Sequence, residues 1–178
     1  MTKKRNIYDL NNSYYLYEDV EHMVDKIGDL FEVNFFKDKI QFVSKIKYPE
    51  NAFWISDEVI QIFNEKIPAV KSIIKDIYSI IEGIFVTKKG NFDKIGLESS
   101  YPELKILREF NNKLKHHTNK NVIFNIILMA NIVPKTLDYV IQYKYDNSAH
   151  IEVILLSKFF ELFFIILETE NIITIDRR

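Results

Sequence analysis

Ile151-Glu152-Val153-Ile154-Leu155-Leu156-Ser157-Lys158-Phe159-Phe160-Glu161-Leu162-Phe163-Phe164-Ile165-Ile166-Leu167 is the most apolar run of the chain, and its reading sets the architecture. Lys158 and Glu161 interrupt it, and it falls short of the ~20 apolar residues that cross a bilayer. It reads instead as the body of a helix over residues 149–168, capped by Asp146-Asn147-Ser148. A helix that is apolar on nearly every side lies centrally in a core or lines a dimer interface.

Working outward from that run, residues 121–132 and 137–145 are rich in β-branched and aromatic side chains. Tyr139, Ile141, Tyr143 and Tyr145 alternate with Val140, Gln142 and Lys144, a pattern that suits a short antiparallel pair. Elsewhere the apolar step is helical. Over residues 14–36, Leu16, Val20, Met23, Ile27 and Leu30 recur at alternating four- and three-residue intervals and predict a first helix. Gly28 inside it costs about 1 kcal/mol relative to alanine unless close packing uses it. Residues 39–48 fit either more helix or a short strand with Ile40, Phe42 and Ile46 inward.

Ser56, followed by Asp57 and Glu58, is an N-cap for a long second helix through Phe63, Ile67, Val70, Ile74, Ile77, Ile81 and Ile84. Pro68 predicts a kink or a break near residues 65–67, with two collinear helices as the alternative. Trp54, beside Phe53, reads as a hydrophobic staple or core lid. Residues 88–99 read as a loop. Ser100 and Glu103 around Pro102 form a capping-box pattern for a third helix that turns Leu104, Leu107, Phe110 and Leu114 inward and ends near residues 117–119. The sum is a mainly α fold over residues 1–178: one helical domain, a compact bundle of four to five helices with a small β-hairpin before the last helix.

Composition narrows the function classes. With 47% hydrophobic and 28% charged residues, four glycines and four prolines, the chain is far from the signature of disorder. Cysteine is absent, which excludes disulfides, a thiolate nucleophile and zinc–thiolate sites. A net charge of -1 removes any global pull toward nucleic acid or a membrane surface, so such a site would have to be local. The basic start, Lys3-Lys4-Arg5, precedes a mixed stretch rather than an apolar one, so the expectation is a cytoplasmic protein without a secretion signal or membrane contact. Abundant Ile, Asn, Lys, Tyr and Phe resemble translation of an AT-rich genome. No P-loop, dinucleotide-binding glycine motif or nucleophile elbow occurs, and no cofactor is implied. His22 and His150 lack neighbouring ligand patterns and read as structural, with no metal site.

The segment Leu107-Arg108-Glu109-Phe110-Asn111-Asn112-Lys113-Leu114-Lys115-His116-His117 carries the chemistry. On a helix, Arg108, Asn112, Lys115 and His116 project from one side and Leu107, Phe110 and Leu114 from another. The bland reading of that ridge is a solvated helix end, where the dipole favours Lys and His. The functional reading is a phosphate- or RNA-contacting site with an imidazole for proton transfer.

Here the chain resembles the HEPN superfamily, small helical bundles of bacterial toxin–antitoxin, antiphage and CRISPR-associated proteins. The family motif is an Arg, four to six intervening residues and a His, and its commonest form has Asn directly after the Arg. Asn111-Asn112-Lys113-Leu114-Lys115-His116 matches at Asn112 and His116 but has Asn111 where the Arg belongs, and Arg108 lies one turn earlier. The resemblance implies a metal-independent endoribonuclease in which two protomers of a dimer meet at one groove. It would place His116, Asn111 and Asn112 at the catalytic centre and Arg108, Lys113 and Lys115 on RNA. Neither Asn111 nor a lysine reproduces the bidentate guanidinium such chemistry uses, so a module that binds RNA without cutting it is equally compatible. The alternative is a non-enzymatic helical interaction protein, such as an antitoxin, an inhibitor or a subunit of a defence complex. It would meet a second copy or another protein through its apolar last helix.

Overall fold

The computed structural model describes residues 8–10, 17–89, 93–116, 122–145 and 147–177. In chain order they form β1 (Tyr8–Leu10), α1 (Tyr17–Leu30), β2 (Phe31–Phe35), β3 (Ile40–Ser44), α2 (Asp57–Lys89), α3 (Lys94–Ser100), α4 (Glu103–His116), β4 (Val122–Ala130), β5 (Leu137–Tyr145), β6 (Glu152–Leu155), α5 (Leu156–Thr169) and β7 (Ile173–Ile175). Among the described residues, five helices supply 52% and strands 25%, so the fold is mixed α and β, and the expected mainly α bundle is corrected. The strands form three antiparallel sheets: β1 with β7, β2 with β3, and a meander of β4, β5 and β6.

The centre is α5. Leu156, Phe159, Phe160, Phe163, Phe164 and Leu167 are at most 1% exposed, and the polar pair Lys158–Glu161 marks the helix's outer face. The β2–β3 hairpin closes on it through aromatic edges: Phe31 meets Phe160 at 5.5 Å and Phe35 meets Phe164 at 5.3 Å. α2 adds a row of Val70, Ile73, Ile74, Ile77 and Ile81 to the same core. The apolar faces of α5 are thus used inside the chain, so the last helix is not the partner-contacting surface that its composition suggested.

The first helix stops at Leu30 rather than near residue 36, because Phe31, Val33 and Phe35 turn over with a period of two and pair with β3 in register Phe31↔Ser44 to Phe35↔Ile40. Gly28 would meet nothing within 4 Å if it carried a Cβ, so close packing does not require it.

Ser56 caps α2 as expected, its carbonyl accepting from Ile60 N at 3.1 Å and its hydroxyl from Val59 N at 3.4 Å. The helix continues through Pro68 as one element, so the break is not realised. Asn64, whose carbonyl loses its donor, and Pro68 itself lie on the exposed face, where water can take over the freed group.

The expected loop at residues 88–99 is largely helix. α2 runs to Lys89, residues 90–92 lie outside the described set, and Asp93 caps α3 by accepting from Gly96 N at 3.0 Å. Ser100 turns back to donate to the Gly96 carbonyl at 3.1 Å, so it does not cap α4 as the capping-box pattern proposed.

The expected hairpin is β4–β5, in register from Val122↔Tyr145 to Ala130↔Leu137. The last helix begins later than residue 149. Ile154 and Val153 instead pair with Ile141 and Gln142 as β6, which makes His150 a loop residue rather than part of a first helical turn. Asp146 lies outside the described residues, and α5 starts directly after Leu155 with no side-chain cap. It ends in a tight reversal, where Asn171 adopts φ 57° and Ile172 N donates to the Leu167 carbonyl at 2.8 Å. No described helix is long and apolar enough to cross a membrane.

Candidate functional site

Two regions carry the features from which a function is argued: the polar face of α4, and a pair of loops joined at one end of the molecule.

α4 is helical because Leu104, Leu107, Phe110 and Asn111 share one buried stripe. Asn111 is 1% exposed, and its side-chain carbonyl has no protein partner. The position that the resemblance assigns to a phosphate-binding Arg therefore faces the core. Asn112 is half-buried beside it and Lys115 is exposed.

Arg108 is occupied. Its Nε and Nη2 form a forked pair with the Glu98 carboxylate of α3, at 2.5 and 3.3 Å. That bond holds the guanidinium above its ordinary pKa. Lys113 Nζ donates to the Val122 carbonyl at 2.6 Å and ties α4 to the start of β4.

The side of α4 facing β5 is also closed by pairings. Lys105 stands 6.0 Å over the Tyr145 ring, and the Tyr145 hydroxyl donates to Glu109, whose Oε2 is buried without a partner. Burial first, and then the Glu109 carboxylate, push Tyr145 up to about 12. Tyr143 donates to Glu152 at 2.5 Å and is likewise held above its usual range, chiefly by burial.

His116 ends α4, but its side chain and all of His117 lie outside the described residues. The structure brings Arg108, Asn112, Lys113 and Lys115 onto one helix and points Asn111 away from them. Cleaving a phosphodiester needs a cation aimed at the phosphorane. Arg108 is already bound to a carboxylate, and Asn111 is inside. Among the described residues, no cluster of three or more His, Cys, Asp or Glu side chains is placed to hold a metal ion.

The second region was not read from the sequence as a site. Residues 45–56, between β3 and α2, lie against the β4–β5 turn, residues 131–136. Lys47 bridges to Thr136, Tyr48 N donates to the Lys135 carbonyl at 3.1 Å, and the Tyr48 hydroxyl donates to the Asn131 carbonyl at 2.5 Å. Lys135 Nζ returns to the Ala52 carbonyl at 3.0 Å while lying 5.7 Å over the Tyr48 ring.

On this braced base stand four large apolar side chains in solvent: Phe53 at 94% exposure, Trp54 at 77%, Ile132 at 78% and Val133 at 90%. Trp54 is therefore neither a staple nor a lid. A signal was present in the sequence, since apolar residues at a hairpin turn and in a pre-helix loop break the rule that such positions are polar.

Comparison with protein-family models, with characterised proteins and with solved structures gave no match.

Proposed function

We propose that this chain is a non-enzymatic protein-binding module whose contact surface is the paired loops bearing Phe53, Trp54, Ile132 and Val133. The observation that supports it is their exposure, from 77% to 94%, on loops braced to one another. Side chains of this size bury about 150–250 Å² each in the aromatic case, so the four present on the order of 500 Å² of apolar surface.

Residues exposed to 90% or more touch little of their own chain, so the tips project as knobs and suit an apolar socket on a partner. Bracing by Lys135 and Tyr48 lowers the ordering cost of docking. A lipid surface fits less well. Exposed Glu50, Asp57 and Glu58 balance Lys45, Lys47 and Lys135 near the tips, leaving no basic excess for anionic headgroups.

The test is a photo-crosslinking residue at position 54 or 132, in cells that make the protein, with the exposed α2 position 75 as control. One adduct shared by positions 54 and 132 and absent at 75 is expected. The purified partner should then lose about tenfold or more in affinity on Trp54→Ala. Equal adducts at all three positions, or binding to anionic vesicles in place of a protein, would overturn the reading.

RNA binding without cleavage is the second reading. It rests on the exposed Lys115 of α4 and on the resemblance to HEPN proteins. It predicts that Lys115→Ala weakens RNA binding uniformly across sequences and flattens its salt dependence.

A further inference from the structure

Val122-Ile123-Phe124-Asn125-Ile126-Ile127-Leu128-Met129-Ala130, the whole of β4, lies at one side of the β4–β5–β6 meander, and among the described residues no backbone group bonds to its outer side. Its nine residues, at ~3.4 Å each, make an open edge about 30 Å long. Monomeric proteins blunt such edges with lysine, proline, a bulge or brevity. β4 uses none of these. It carries no charge and no proline, Asn125 is its one polar side chain, and its pairing with β5 is unbroken from Val122 to Ala130. The opposite edge, β6, is blunted: it has four residues and includes Glu152.

Hydrogen bonding at the turn fixes which groups face outward. Asn131 N donates to the Thr136 carbonyl at 2.9 Å, so these two residues form a bonded pair. Bonded and non-bonded pairs alternate along an antiparallel ladder. In the observed register Met129, Ile127, Asn125 and Ile123 therefore direct their backbone groups to β5, whereas Ala130, Leu128, Ile126 and Phe124 aim theirs at the open edge. Two contacts agree. Leu137, opposite Ala130, turns its N–H away from β4 to the Ile46 carbonyl at 2.9 Å, and the Val122 carbonyl is reached from outside by Lys113 Nζ at 2.6 Å.

We propose that β4 pairs with β4 of a second copy, antiparallel about Ile126, and joins the two meanders into one sheet. Ile126 then faces the partner's Ile126, and Phe124 faces the partner's Leu128. All of these point outward, so each pair can exchange both backbone bonds. On the other face Ile123 meets the partner's Met129 and Asn125 meets the partner's Ile127, so no charge is opposed at any position. A groove of about 390 Å³ opens between α2, α4 and β4 beside Phe124 and Ile126, which leaves room along the edge for the incoming strand's side chains. Followed over both faces, an edge of this length buries on the order of 1,000 Å² in total, the lower bound for a specific interface, so the dimer is reversible. The contact is isologous and stops at two chains. It places the two sets of paired loops at opposite ends of the joined sheet and does not rest on their role.

Sedimentation equilibrium of the full chain from ~1 μM to ~1 mM should show monomer and dimer, with a Kd of ~10–100 μM. Asn125→Lys puts a charge on an exposed edge position, and Ile126→Pro removes an N–H that makes no bond to β5. Each should weaken the dimer at least about tenfold and leave the circular dichroism unchanged. If Ile126→Pro fails to fold, Asn125→Lys decides. The chain has no cysteine, so single cysteines report the register. Ile126→Cys lies ~5.5 Å from its copy between Cα atoms, within disulfide reach, and should cross-link, whereas Ile123→Cys lies ~20 Å from its copy and should not. Amide exchange at Phe124, Ile126 and Leu128 should slow as concentration rises, while Asn125 and Ile127 stay slow throughout.

A monomer at ~1 mM would overturn the proposal. So would a dimer indifferent to Asn125→Lys, equal cross-linking at positions 123 and 126, or slow exchange at Ile126 already in the dilute monomer. A dimer lost on Trp54→Ala would assign self-association to the paired loops and equally overturn it.

Discussion

Replacing Tyr139 by Phe should make the protein more stable. The Tyr139 ring is 1% exposed on β5 and stacks on Phe63 of α2 at 4.3 Å with an interplanar angle of 17°. The substitution keeps that stack and removes one oxygen. The hydroxyl has no protein partner, and a buried polar group left unsatisfied costs about 1–3 kcal/mol. Deleting it should recover about 1–2 kcal/mol, since a small void remains. For a chain of this length each kcal/mol moves Tm by about 2–4 °C, so Tm should rise by ~2–8 °C.

A pH series gives the same argument a sign. Burial holds the folded-state pKa of Tyr139 above its ordinary value near 10. Above pH ~10 the unfolded chain has released the phenolic proton while the folded chain still holds it, so wild-type stability falls as pH rises. The limiting slope is about 1.4 kcal/mol per pH unit. Tyr139→Phe lacks that contribution, so its advantage should widen above pH ~10 and stay constant between pH 6 and 9. Urea unfolding followed by far-ultraviolet circular dichroism at several pH values measures both. A loss of more than ~0.5 kcal/mol at pH 7 would refute the reasoning, because it would mean the hydroxyl makes a net favourable bond.

Tyr143→Phe should behave oppositely, costing about 1–2 kcal/mol in the same unfolding assay, because its hydroxyl donates to the Glu152 carboxylate. Gly28→Ala should stabilise by about 0.5–1 kcal/mol, since the position is inside α1 and a Cβ meets nothing; a lower Tm would show that the helix needs the glycine. Phe163→Ala should cost about 3–5 kcal/mol by opening a cavity in α5, where the ring is 0% exposed, and a change below ~1 kcal/mol would place that ring outside the core. Trp54→Ala should leave the urea midpoint within about 0.5 kcal/mol of wild type, because the ring contributes little to the fold.

Signals encoded within a few residues were legible without the structure. The Ser56 cap, the apolar row of α2 and the pairing of residues 122–130 with 137–145 follow from period and capping chemistry alone, whereas the same chemistry left the Phe159–Phe160 and Phe163–Phe164 pairs either central or at an interface. These depend on neighbours along the chain, and local geometry decides them.

Where one apolar run satisfied two periods, tertiary contacts decided. Phe31–Phe35 continues the pattern of α1 but becomes β2 because β3 lies within reach of its backbone, and Glu152–Leu155 becomes β6 because β5 offers an open edge. The α4 site shows the same limit. The sequence determined that Arg108, Asn112, Lys113 and Lys115 share a helix. Only the folded chain brought Glu98 onto Arg108 and turned Asn111 inward, and only the joining of residues 45–56 to the β4–β5 turn left Phe53, Trp54, Ile132 and Val133 in water. Periodicity reports which side chains share a face, whereas the partner of a charge or the cover over an apolar ring comes from segments distant in the chain, which a local pattern does not encode.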